Sequence, residues 1–327
     1  MRNLTKTIPV TGFIILTLMV MVLLISAATE AWFIHPAFGV IASIVVIGAL
    51  AAIYFQGKGL IIQEIATVNS SRKLFEFLAV LIGGIAAYSL SHDIGLGAVV
   101  AASLVAIIAD MVLPKYGVPA YCGAFVGMSS NALLFNHTEA ALASGIAGIV
   151  YVITRDVFSG FGGKLGTIAF IGAASTGLIL GREFLIVSIG SLDSNIWVLL
   201  IAFIATPLTF FLNCYLGNGP VLASGAVGLI GGLILPILFP QNGNTLAVVA
   251  ICASFTGMSN KIRCPHIWHI LIAGLFTGIL FIFSTPLLGG AGGKLGTIAF
   301  ASIISTWGFT QVYRQLYRTD ANDLPIH

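Results

Sequence analysis

Nine consecutive residues occur twice in this chain. Gly162–Phe170 and Gly292–Phe300 both read Gly-Gly-Lys-Leu-Gly-Thr-Ile-Ala-Phe. Each copy carries a lysine, a threonine three residues on and a phenylalanine three further. These are Lys164, Thr167 and Phe170 in the first copy and Lys294, Thr297 and Phe300 in the second. On a helix that spacing puts charge, hydroxyl and ring on one face. An ammonium among apolar residues is costly, and in membranes such charges are usually functional. Two glycines precede each lysine, so each can sit on a broken helix whose free N–H groups also attract anions. The chemistry is that of binding. A positive mouth would draw in an anion or a carbonyl oxygen, and a hydroxyl that donates and accepts would follow. A ring would then narrow the path. The plainer readings are a lysine that snorkels to an interface and a threonine bonded to its own helix.

The repetition extends beyond the motif. At an offset of 130, residues 122–170 align without gaps to residues 252–300, with 18 of 49 positions identical. Pairs include Cys122 with Cys252, Phe125 with Phe255 and Gly127 with Gly257. Gly-Met-Ser closes each segment, so Ser129 matches Ser259, and Ser130 stands opposite Asn260. Small polar residues in an apolar run line a binding path or pack a helix interface. Glu76 and Asp110 are read as carboxylates near the interface that pair with Arg or Lys. His266 and His269 have metal-ligand spacing but no carboxylate beside them. Their aligned partners, Asn136 and Glu139, do not reproduce the pair, so an interfacial belt with Trp268 is expected and no metal site. No nucleophile elbow, His-Glu-x-x-His or nucleotide loop is present. The four cysteines form no Cys-x-x-Cys. Neither an enzyme nor an ATP-driven pump is expected.

The elements that hold these residues must be membrane helices. Of the 327 residues, 58% are hydrophobic and 8% charged, against about 25% charged in soluble domains. Mean hydropathy is +1.07. Such a chain cannot clothe itself in water, and it has no basic cluster for nucleic acid. About twelve spans fit: 10–28, 33–55, 75–91, 94–114, 117–135, 140–154, 165–181, 196–215, 220–239, 245–260, 267–284 and 295–312. Five of them separate Lys164 from Lys294, an odd number, so the motif copies fall on opposite membrane faces. The expected fold is an all-α polytopic membrane protein with a 5+5 inverted-topology repeat preceded by two helices. Its parts are 1–74 (two helices and a cytoplasmic loop), 75–190 (first repeat), 191–312 (second repeat) and 313–327 (cytoplasmic tail). Both termini are placed in the cytoplasm of a plasma (inner) membrane protein. Only Arg182 and Lys294, of 14 Lys and Arg, then fall outside, a strong positive-inside bias. The basic start and apolar residues 10–25 also resemble a signal peptide, but the run is long for one, and a retained helix is expected.

The order of motifs resembles the urea-transporter family. Each repeat of that family has a Tyr-Gly-x-Asn-Gly-x-x-x-Gly segment, then a Leu-x-x-Thr-Leu-Pro-Phe motif lining the pore. Tyr116–Gly127 resembles the first. Lys164–Phe170 and Lys294–Phe300 resemble the second, with Ala169 and Ala299 in place of proline. The resemblance covers about residues 75–312 in layout and implies a related fold with the substrate open. Membrane subunits of redox-driven sodium pumps are thought to share that fold. They carry flavin on a threonine after Ser-Gly-Ala, where Val227 stands here, so no cofactor is expected. The expected function is a channel or secondary transporter for a small polar or anionic solute, with the pathway at the interface of the repeats. The alternative is a non-transporting membrane subunit of a redox or biosynthetic complex. Expected partners are the solute and membrane lipid, with homo-oligomerisation left open.

Overall fold

Apolar runs cut by glycine, proline and short polar turns become helices throughout. A computed structural model of the chain describes residues 4–62, 70–186 and 192–322. It holds twelve α-helices: α1 (Leu4–Ile34), α2 (Pro36–Ile62), α3 (Ser70–His92), α4 (Ala98–Val112), α5 (Pro114–Gly127), α6 (His137–Thr154), α7 (Lys164–Ile179), α8 (Leu192–Cys214), α9 (Pro220–Leu238), α10 (Gly243–Gly257), α11 (Ile267–Ser284) and α12 (Lys294–Asn322). Among the described residues the only β pairing is an isolated bridge between Leu185 and Gly289. Local chemistry sets several boundaries. Proline opens α5 and α9, where its missing N–H is no loss. Asn136 caps α6 by accepting from the Glu139 N–H at 3.0 Å, and the Glu139 carboxylate takes the Phe135 N–H at 2.8 Å.

A helix lies at each of the twelve apolar segments, but they are not alike. Eight helices are long and apolar enough to cross a bilayer. The other four, α4, α5, α7 and α10, have 14 to 16 residues. At 1.5 Å per residue they reach about 21–24 Å, short of a hydrocarbon core of about 30 Å. Three of these, α5, α7 and α10, are buried along most of their length. They are wrapped by the longer helices, so burial stands in for length.

Several expected edges move. The loop expected at 56–74 shrinks, because α2 runs to Ile62 and α3 starts at Ser70; residues 63–69 lie outside the described residues. The tail expected from 313 is helical to Asn322. The spans expected to 135 and 260 stop at Gly127 and Gly257.

The helices pack in two matching sets. α3 packs on α4, α5 and α6, as α8 does on α9, α10 and α11. α4 packs on α5 and α6 on α7, as α9 does on α10 and α11 on α12. The turn between α3 and α4 holds Gly95 and Gly97 at φ +78° each. The turn between α8 and α9 holds Gly217 and Gly219 at +74° and +81°. These turns correspond at an offset of 122, a second register of the repeat that the 130-residue alignment misses.

α1 and α2 pack against α11 and α12, and α1 also reaches α6 and α7. The α2–α12 crossing depends on two glycines. A Cβ at Gly308 would strike the Gly48 carbonyl oxygen, and one at Gly48 would come within 2.6 Å of the Ser305 oxygen. Gly308→Leu should therefore force α2 away from α12. Overpacking of this kind costs about 1–3 kcal/mol. The expected result is a lower thermal midpoint in detergent; an unchanged midpoint would mean α2 is not held there.

Candidate functional site

The two motif copies meet each other. The contact between α7 and α12 is glycine on glycine: a Cβ on Gly166 would lie 2.5 Å from the Gly296 Cα, and one on Gly296 would lie 2.5 Å from the Gly166 Cα. One residue row away, Gly163 abuts the Gly296 oxygen and the Phe300 N, while Gly293 abuts the Gly166 oxygen and the Phe170 N. Gly163 and Gly293 adopt φ +77° and +87°, a region natural to glycine. Thr167, Phe170, Thr297 and Phe300 are completely buried here. The Thr297 hydroxyl sits 3.5 Å from the Gly293 oxygen, and the Thr167 hydroxyl has no hydrogen-bond partner among the described residues. The hydroxyls and rings of the expected stripe are thus enclosed by protein, whereas its lysines lie on cavity walls.

Each loop before a motif docks on the end of a helix from the other set. Ser259 Oγ accepts the Gly162 N–H at 2.9 Å and donates to the Thr256 oxygen. Ser129 Oγ accepts the Gly292 N–H at 3.0 Å and donates to the Val126 oxygen. The Asn260 N–H donates to the Gly160 oxygen and the Ser130 N–H to the Gly290 oxygen, at 3.0 and 2.9 Å. Cys122 and Cys252 each donate to the leucine carbonyl after a motif lysine, at 3.2 Å. Even the backbone strain repeats: Phe158 and Leu288, at offset 130, are the two non-glycine residues with positive φ among the described residues.

The lysines turn toward the end of the preceding helix. Lys164 is 8% exposed, and its Nζ donates to the carbonyls of Thr154, Arg155 and Val157 at 2.8, 2.8 and 2.6 Å. All three of its protons are used, as a cation capping the last carbonyls of α6. Lys294 donates to Thr285 and Leu287 at 2.9 and 2.6 Å. It is only partly buried.

Two cavities flank the seam, and their walls are equivalent. The first, of about 490 Å³, lies against Gly289–Leu295, Met128, Ser129, Ser130, Phe281 and His92. The second, of about 230 Å³, lies against Ser159–Leu165, Met258, Tyr151 and Arg155. Of the residues singled out in the sequence, Lys294, Ser129 and Ser130 line the first cavity and Lys164 the second. Thr167, Phe170, Thr297, Phe300, Ser259 and Asn260 line neither. Gly292, on the wall of the first, packs on the Phe125 carbonyl. Gly162, on the wall of the second, packs on the Phe255 carbonyl. The rings of Phe125 and Phe255 touch, with centroids 4.5 Å apart.

Other residues around the cavities had no signal in the sequence. His92 Nε2 donates to the Ser129 carbonyl at 2.9 Å, which fixes that nitrogen as the protonated one when the ring is neutral. A buried hydroxyl chain runs from Tyr121 to Ser224 (3.0 Å) to Ser254 (2.8 Å) beside the Phe pair. Arg263 stacks over Phe161 and Trp307 and donates to the Ser159 oxygen at 3.0 Å, tying down the loop of the second cavity. Burial lowers its pKa from the ordinary arginine value and Cys264 opposes the shift; the guanidinium stays charged. Glu76 pairs with Arg72 and Arg155 at 3.1 and 3.3 Å, as expected of an interfacial carboxylate. Asp110 makes no ion pair among the described residues, since Lys115 lies over the Tyr116 ring instead.

No family model matches the chain, and neither the curated proteins nor the solved structures hold a match to it.

Proposed function

We propose that this chain is a multi-pass channel or secondary transporter of the plasma (inner) membrane for a small polar or anionic solute. The observation that carries the reading is the pair of cavities whose walls are built largely from residues 130 apart. A path that opens alternately, or through a narrow gate, needs two such vestibules. Reciprocal contacts, in which residue i of one copy meets j of the other and j meets i, are the mark of a two-fold axis. Inverted repeats place solute sites near such an axis. In this reading α4, α5, α7 and α10 also traverse membrane depth. α5, α7 and α10 can be short because neighbouring helices surround most of their length. All twelve helices then count as crossings, in a 5+5 inverted repeat after α1 and α2. The cavity beside Lys294 opens outward and the one beside Lys164 opens to the cytoplasm, with both termini inside.

The test is flux into proteoliposomes, by swelling and by tracer, for urea, ammonia, small carboxylates and halides. Saturable uptake of one of them above empty liposomes is expected. Ser91→Cys and Ser159→Cys, one on each cavity wall, should react with an impermeant maleimide from opposite faces. Absence of flux together with labelling from one face would overturn the reading. A coloured purified protein without flux would turn attention to a redox subunit.

A further inference from the structure

The two cavities have equivalent walls, but their polar groups are not equally engaged. In the second cavity the motif lysine has every donor engaged and the loop beside it is tied down. Lys164 has three carbonyl acceptors. Asn260 accepts the Arg263 N–H at 2.9 Å, and Arg263 in turn holds the Ser159 oxygen. In the first cavity the same positions have donors to spare. Lys294 has two carbonyl acceptors, Thr285 and Leu287; the Ser284 carbonyl, equivalent to that of Thr154, is not among them. Ser130, which lines the cavity and aligns with Asn260, has a buried hydroxyl with no hydrogen-bond partner among the described residues. Where Arg263 ties the second loop, the aligned residue is Leu133. The first cavity also has about twice the volume of the second, and the first turn of the 29-residue α12 opens onto it.

We propose that the cavity beside Lys294 is a recognition site for a small monocarboxylate with an apolar body, its carboxylate held by Lys294 and Ser130. The proposal rests on the transport reading and names its substrate class and the vestibule that selects it. One ammonium with a free donor balances a single negative charge, and no carboxylate side chain lines the cavity. Val99, Met128, Val248, Phe281, Leu295 and Ile298 make the remaining wall apolar. Such a wall rewards burial of an aliphatic or aromatic body and gives nothing to a bare inorganic anion. An unpaired buried hydroxyl is a group that gains most when a ligand oxygen arrives.

The experiment is equilibrium binding of radiolabelled butyrate and benzoate to the full chain in nanodiscs. Competition by butyramide, succinate and chloride is measured alongside. Saturable binding is expected, with each competitor at least tenfold weaker than unlabelled butyrate. Lys294→Gln should weaken binding by about 10–100-fold, the worth of one charge-assisted hydrogen bond. Ser130→Ala removes no hydrogen bond from the empty protein, so it should fold normally and weaken binding by about 3–10-fold. Lys58→Gln, on α2 away from both cavities, should leave binding unchanged. Absence of saturable binding would overturn the proposal. So would equal competition by butyramide or chloride, or full binding in Ser130→Ala and Lys294→Gln. Binding that behaves as expected without butyrate flux would retain the site and remove transport. Butyrate flux indifferent to both substitutions would do the reverse.

Discussion

Gly166→Ala should be among the most damaging single-methyl changes in this protein. The added Cβ would sit 2.5 Å from the Gly296 Cα and 2.9 Å from the Gly293 oxygen, with the Gly296 N at 3.0 Å. All three are backbone atoms, so no side chain can swing aside. α7 and α12 must separate, and the loop contacts around Gly163 and Gly293 separate with them. Overpacking typically costs about 1–3 kcal/mol, and a backbone clash belongs at the upper end. A loss of about 3 kcal/mol corresponds to a midpoint lower by roughly 5–10 °C. Gly145→Ala is the matched control. It lies in α6 with nothing within 4 Å of its would-be Cβ, so alanine there should be neutral or stabilising by about 0.5–1 kcal/mol. Thermal unfolding of the two variants in the same detergent decides the matter. Equal midpoints would mean that the motif copies do not touch in the membrane.

The second large effect is a difference between two lysines of identical sequence context. Lys164→Met removes an ammonium from three carbonyls at the end of α6, in two buried bonds and one part-buried bond. A charged hydrogen bond contributes about 1.5–3 kcal/mol. The three are not additive, so about 3–5 kcal/mol is the expected loss. Lys294→Met removes two such bonds at a site open to a cavity, where water can reach the abandoned carbonyls. Its expected loss is about 1–3 kcal/mol, and its folded yield should be the higher of the two. The measurement is the monodisperse fraction after extraction together with the unfolding midpoint. If Lys294→Met proved the less stable variant, the capping role assigned to Lys164 would fail.

Where the helices lie was legible from hydropathy, because burial and bilayer both demand apolar residues. The same overlap hid the difference between them. A helix apolar on every face reads alike whether lipid or protein surrounds it, so α5, α7 and α10 were counted as spans beside the longer helices. The ends of α5 and α10 were misjudged for a related reason. Met128, Leu133 and Leu134 continue the apolar run after Gly127, but the chain turns there. Ser129 takes a loop N–H from 163 residues away, a contact no local pattern announces. The motif was conspicuous, yet its stripe was read as facing a solute. The threonine and phenylalanine are enclosed where the two copies meet through glycine contacts, and the lysine turns back to the end of its own preceding helix. Ser130 and Lys294 were picked out from the repeat. Their being the underused members of two equivalent sets became visible only from the hydrogen bonds. His92 and the hydroxyls of Tyr121, Ser224 and Ser254 had no spacing signal at all.

The seam between Gly166 and Gly296 also bears on how the chain can drift. A segment that packs on its own duplicate has no independent partner to co-adapt with. A larger residue in one copy meets the unchanged glycine, loop oxygen and alanine of the other, so first steps in either copy are rejected alike. Segments outside the seam escape this veto. Arg155 and Thr285, or Arg263 and Leu133, occupy matching places and have diverged. The two halves of this chain therefore differ around the seam while the glycines within it match. The nine matching residues record where two halves constrain each other, and the mismatches around them record where each half was free to specialise.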